Sequence, residues 1–227
     1  MLITNKRVEA DPSIFIDGVR LERATKFKYL GIVLDEKLKF HGHIDKLRGK
    51  LSRLCGVSYR LGRHLNLATA KKFYFACVYS VLVYGICVWG GVLQCTSRAN
   101  EIKLTHARIV KNLFKKYCST QCVFVGMGLL KLPELHKLHI AIYMFKILKL
   151  NLCPTLQVDL DIKYPEHNYQ TRNADRLIPP FPRVEAIRMG YKYQCNEVWN
   201  SVPGNIKEET SLKNFKRSYK SFLMSIY

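Results

Sequence analysis

The sequence predicts an α+β fold that is mainly α: an N-terminal antiparallel β-hairpin followed by helices. Three observations carry this. Strand-like runs of β-prone residues are confined to the segment before Glu36, flanking an Asp17-Gly18 pair. From Ile44 onward, apolar residues recur three and four apart, the period of a helix with one buried side. The chain has 227 residues, 48% of them hydrophobic, which suffices for one or two domains with a sizeable core.

The run Ser13–Glu22 reads as a hairpin, because Asp17-Gly18 tolerates the positive φ of a two-residue turn. Lys26–Leu34 reads as a further strand, with Gly31 in its interior marking a bulge or a close backbone approach. Together they make a three-stranded antiparallel piece at most, which needs something to pack on. The first helix buries Ile44, Leu47, Leu51, Leu54, Ser58 and Leu61, with the serine as its weak member. Lys46, Lys50, Arg53, Arg60 and His64 share that spacing on another side. Such a stripe is either a solvated face or a row of phosphate contacts.

Between Lys72 and Arg98 there is no charged residue, and Phe73–Trp89 is long enough to cross a bilayer. Tyr74, Tyr79 and Tyr84 fall through its middle, however, and Gly85 and Gly90-Gly91 break it early. The reading is a buried helix at the centre of a bundle, in which Val81→Asp is expected to be unfolding. A third helix, Ser97–Tyr117, buries Ile102, Ile109, Val110, Leu113, Phe114 and Tyr117 and groups Arg108, Lys111 and Lys115 on another side as further candidate nucleic-acid contacts. Pro133 opens a fourth, with Leu135, Leu138, Ile142, Phe145 and Leu148 facing in, which stops before Pro154. Asn151–Pro182 reads as irregular, and Ser211–Leu223 as a basic amphipathic helix. Trp199 reads as a core anchor at a helix end; Tyr169 and Arg172 are open between packing and nucleic-acid contact.

A net charge of +20 points to a polyanionic partner, nucleic acid first and an anionic membrane surface second. The N-terminus lacks the apolar core of a secretory signal. The eight cysteines are scattered through apolar segments, as expected in an intracellular reducing compartment, nuclear or cytoplasmic. Cys118 and Cys122 with His136 and His139 imitate a zinc site, but a Cys2His2 site wants at least three residues between its histidines. No Gly-x-Ser-x-Gly or phosphate-loop motif occurs, and no Asp-Asp pair of the kind that two-metal nucleotidyl transfer needs. Neither a metal nor a cofactor is expected in this chain.

The run Phe27-Lys28-Tyr29-Leu30-Gly31-Ile32-Val33-Leu34-Asp35, with Leu38, Phe40 and His43-Ile44 behind it, resembles non-LTR (LINE-type, jockey-like) retrotransposon reverse transcriptases where palm meets thumb. Val83-Tyr84-Gly85 with Val88-Trp89-Gly90 resembles the family's Leu-x-Tyr-Gly…Val-Trp-Gly, and Ala107–Val110 its Arg-Ile-Ile helix. Tyr169-x-Thr171-Arg172-Asn173 and Trp199-Asn200-x-x-Pro203 resemble its C-terminal domain. The resemblance implies a palm-edge hairpin at 1–40, a helical thumb at 41–125 and a C-terminal helical domain at 126–227. It implies a fragment of an RNA-directed DNA polymerase that grips RNA template and DNA primer, with Tyr29, Leu30 and Gly31 as primer grip. Mg²⁺ would be held by a palm whose aspartates this sequence does not contain, so no polymerisation is expected of the chain alone. A stand-alone nucleic-acid-binding module and a membrane-associated helical protein are the other readings.

Overall fold

Two hairpins open the chain, each closed by a two-residue turn whose central residues both have positive φ. Strands β1 (Phe15–Ile16) and β2 (Val19–Arg20) flank Asp17 (φ 49°) and Gly18 (φ 78°). Strands β3 (Lys26–Tyr29) and β4 (Ile32–Asp35) flank Leu30 (φ 43°) and Gly31 (φ 81°). Paired positive φ values are the mark of the type I′ turn, whose twist matches that of the strands it joins. The register pairs Lys26 with Asp35 and Tyr29 with Ile32. The two hairpins form separate two-stranded sheets, so the expected three-stranded piece does not form. Gly31 is a turn residue, not a bulge inside one strand, because Leu30-Gly31 reverses the chain there.

The computed structural model describes residues 1–3, 13–94, 96–114, 119–152, 154–160, 176–181 and 185–226. Helix α1 spans His41–Leu61, and both Asp35 carboxylate oxygens accept backbone N–H groups just before it, from Lys39 (2.8 Å) and His41 (3.1 Å). Helix α2 (Leu67–Phe73), capped by the Asn66 side chain, runs into a π-helical turn (Tyr74–Tyr79) and α3 (Ser80–Val83). The chain then turns at Tyr84-Gly85 into α4 (Ile86–Trp89) and a 3-10 turn (Gly90–Gln94). The apolar run expected as one helix is thus bent by 47°. No single helix among the described residues is long and apolar enough to cross a membrane, although this bent pair passes that test by length and composition.

The π turn has a packing reason. Ala70, Tyr74, Val78, Leu82 and Ile86 are all buried and four residues apart throughout. In a regular α-helix four residues advance about 400°, so such a row would drift around the axis by about 40° per step. A wider turn reduces the advance per residue and keeps the row on one side. Phe75, Tyr84 and Val88 are exposed, and Val81 is half-buried. The run is therefore not apolar all round against protein, and Leu82, not Val81, is the core position.

Helix α5 (Ser97–Phe114) lies along α1 and runs parallel to it. Asp45 pairs with Arg98 (2.8 Å), Arg48 with Glu101 (2.8 Å), and the Asn112 amide donates to Ser58 Oγ (3.2 Å). Ser58 is fully buried and donates to the Cys55 carbonyl (2.7 Å), so the serine is the polar node of this helix pair. A Cβ at Gly62 would lie 2.1 Å from the Asn112 carbonyl oxygen, which explains a glycine where α1 ends on α5.

The remaining elements are α6 (Thr120–Met127), α7 (Leu132–Leu148), α8 (Pro154–Asp159), α9 (Glu185–Met189), α10 (Tyr191–Ser201), α11 (Gly204–Lys207) and α12 (Leu212–Ser225). Helix α7 is the central one: Leu132, His136, Ile140, Ala141, Met144 and Ile147 are buried as well as Leu135, Leu138 and Phe145. It touches α3, α4, α8, α10 and α12. Ile142 and Leu148 are only half-buried. Helix α8 forms inside the segment read as irregular, most of which lies outside the described residues. Helix α6 spans residues 125 and 126, where a boundary was expected, and buried apolar groups on both sides of it join one core. Trp199 is buried against Phe215 of α12 (6.1 Å between rings), and Asn200 exchanges two hydrogen bonds with the Leu177 backbone (2.9 and 2.8 Å).

Candidate nucleic-acid interface

The β3–β4 turn rests on the bend of the helical run. The Tyr84 hydroxyl donates to the Leu30 carbonyl at 2.5 Å. A Cβ at Gly31 would meet Tyr84 Cε1 at 3.1 Å and its oxygen at 3.2 Å, and one at Gly85 would meet Ile32 Cδ1 at 2.6 Å. Gly85 has φ 61°, and the Tyr84 carbonyl freed by the turn accepts the Trp89 indole N–H at 2.8 Å. Gly90 lies against the His136 ring, where a Cβ would be 2.2 Å from Cδ2. Every residue of Tyr-Gly…Trp-Gly therefore has a part in holding this bend and what docks on it.

Between the turn, α1 and α3 opens a cavity of about 380 Å³, lined by Lys28, Gly31, His43, Lys46, Leu47, Lys50, Ser80, Val81 and Tyr84. Three lysines from two elements line it, and among the described residues no carboxylate does. Asp45 of α1 and Glu101 of α5 are engaged on the other edge of α1 by Arg48 and Arg98, and Asp35 by the backbone at its start. Burial, then Lys46 and Lys50, push the His43 imidazole below its ordinary pKa, and among the described residues its Nδ1 has no hydrogen-bond partner. A neutral ring among three cations leaves the cavity positive. Such a site suits phosphate oxygens, since exposed lysines from two elements line one opening.

Of the residues singled out by sequence, Gly31, Lys46 and Lys50 line this cavity, and Tyr29 (59% exposed) and Leu30 (73% exposed) stand on its hairpin. A leucine at positive φ costs about 1–2 kcal/mol, and here no burial of its side chain accounts for it. Arg53 and Arg60 are exposed on α1 but outside the cavity; Arg53 Nε donates to the Gly49 carbonyl at 3.4 Å. Arg108 and Lys111 are exposed on α5, which flanks the opposite edge of α1, so they do not join the lysines. Lys115, Tyr169 and Arg172 lie outside the described residues. His139 is hydrogen-bonded to Tyr79 Oη (3.0 Å), His136 is buried against Gly90 and Cys122 is exposed, while Cys118 of the zinc-like spacing lies outside the described residues.

Sequence reading missed Lys28, His43 and Tyr84. Lys28 carried a signal, as one of two lysines alternating with Phe27 and Tyr29. Tyr84 carried one too, because it precedes a glycine at a break in an apolar run.

No family model matches the chain, and no solved structure matches it. It is 31% identical over 118 residues, 51% of its length, to a protein described as a probable RNA-directed DNA polymerase from transposon BS of Drosophila melanogaster. It is 29% identical over 105 residues, 45% of its length, to the RNA-directed DNA polymerase from mobile element jockey of Drosophila funebris. The matched stretch is 12% of the first relative's length and 11% of the second's. Across about half its residues, then, the chain is similar to non-LTR retrotransposon RNA-directed DNA polymerases, as the Tyr-Leu-Gly and Tyr-Gly…Trp-Gly motifs led one to expect.

Proposed function

We propose that this chain grips the primer–template duplex of an RNA-directed DNA polymerase, holding nucleic acid without carrying out nucleotide transfer. The cavity of Lys28, Lys46 and Lys50 is the observation that carries the reading: three cations face one opening with no carboxylate among them. The exposed Phe27, Tyr29 and Leu30 stand beside it as apolar and stacking groups. The net charge of +20 and the similarity to polymerases of mobile elements support the same partner class, an RNA template with a DNA primer. Any Mg²⁺ used in transfer would be bound by groups other than these lysines.

Affinity for a recessed duplex is measured against salt, for the wild type and for the Lys28→Gln/Lys46→Gln/Lys50→Gln variant. Each neutralised phosphate adds about −0.9 to the slope of log K on log salt, so the variant's slope should be flatter by about 2.7. Arg108→Gln/Lys111→Gln is the comparison from the other side of α1. An unchanged slope in the triple variant overturns the assignment.

A further inference from the structure

We propose that Tyr84 is a positioning residue of this grip, latching the β3–β4 turn to the thumb-like helix so that Lys28 faces Lys46 and Lys50. The inference rests on the nucleic-acid reading of the cavity, but its geometry stands apart from it. The hairpin belongs to the N-terminal segment, and its β3 face is exposed along its whole length. Little else of β3 or the turn is held by burial. The half-buried β4 anchors the hairpin through Ile32 and Leu34, and the turn itself is tied by one hydroxyl, from a residue 54 positions away, donating to the carbonyl of a leucine in the left-handed region. Two glycines shape the contact from either side. Gly31 lets the Tyr84 ring lie flat on the turn, and Gly85 admits Ile32 to the bend. Tyr84 is itself 56% exposed, so its place in the sequence is not that of a core residue.

The consequence concerns Lys28. Strand β3 carries it into the cavity, whereas Lys46 and Lys50 come from α1. β4 packs on α1, with Ile32 and Leu34 against the core, and the Tyr84 hydrogen bond holds the turn end of the hairpin, next to Lys28, against the helical bend. Without the hydroxyl, β4 stays on α1, but the turn end that carries Lys28 loses its fixed distance from Lys46 and Lys50. Tyr84 acts through Lys28 and need not touch nucleic acid.

Tyr84→Phe removes only the donor and leaves the ring on Gly31. In the full chain it should flatten the salt slope of duplex binding by about 0.9, as Lys28→Gln does, and the double variant should be no flatter than either single one. Melting of the helical core should stay at the wild-type temperature. Additive effects of the two substitutions, or a wild-type slope in Tyr84→Phe, overturn the proposal. Hydrogen exchange gives a reading that needs no nucleic acid. Amides of the β3–β4 ladder should exchange roughly tenfold faster in Tyr84→Phe, a lost hydrogen bond's worth, with α1 and α5 unaltered. Equal exchange in the two proteins overturns the latch even if the lysines bind phosphate. Faster exchange with no lysine effect on binding keeps the latch and removes the grip.

Discussion

Leu82→Asp should abolish cooperative unfolding of the chain, whereas Val81→Asp one residue away should leave it folded. Leu82 is fully buried in the row Ala70, Tyr74, Val78, Leu82, Ile86. A carboxylate there has no partner, and an unpaired charge in a packed core costs several kcal/mol. Domains of this size are stable by roughly 5–15 kcal/mol in total, so one such change takes most of it. Val81 instead lines the lysine cavity, where an aspartate would lie near Lys46 and Lys50 and would weaken phosphate binding, not the fold. Circular dichroism melts of both variants, with the fraction pelleting with membranes, make the comparison. A Leu82→Asp protein that melts like wild type, or wild type retained in carbonate-washed membranes, contradicts the packed-core assignment.

The second large effect is acid lability. Burial holds the His106 imidazole down at about 3, where it is hydrogen-bonded to Tyr74 Oη (2.9 Å), and holds His136 at about 4, with His139 and Lys137 adding repulsion. The unfolded chain titrates these groups near 6.5. Between about pH 6.5 and 4 the unfolded state therefore binds more protons than the folded one, and stability rises with pH. The stability is intact above about 6.5 and is lost as pH falls toward 4 for both groups, continuing toward 3 for His106. Each group contributes a slope of about 1.4 kcal/mol per pH unit, so the pair gives about 3. Urea unfolding across that range measures it, and His106→Leu should remove about half of the slope. A pH-independent midpoint between 6 and 4.5 would rule the mechanism out.

The sequence made the helices and their buried faces legible because helical period is local. Ile44, Leu47, Leu51, Ile102, Ile109 and Val110 needed only spacing to be placed inside, and Pro133 marked the start of α7 within one residue. Tyr29, Leu30, Gly31 and the lysines of α1 stood out as candidate contacts, but Leu30-Gly31 read as the interior of one strand and not as the turn it is. What spacing could not give was the pairing of distant elements. Tyr84 reaching Leu30 spans 54 positions, and Asn112 reaching Ser58 spans 54 as well. Ser58 looked weak because its partner was out of sight. The stripe Lys46, Lys50, Arg53, Arg60 was divided for a related reason: only its first two members face the hairpin, since α1 runs on past the cavity.

The parallel course of α1 and α5 also has a bearing on how the chain reaches this state. Antiparallel neighbours can zip together from a short loop, but parallel ones cannot. Here the partners are separated by 53 positions, Asp45 to Arg98 and Arg48 to Glu101. Closing a loop of that length costs about 3–4 kcal/mol in chain entropy before either helix gains its neighbour. The bent α2–α4 run must cross back over α1 in the meantime, so the α1–α5 seam should close late in refolding. A destabilising Gly62→Ala, which separates that seam, should then speed unfolding while leaving the refolding rate almost unchanged. Stopped-flow kinetics that showed slowed refolding instead would make the seam part of the nucleus.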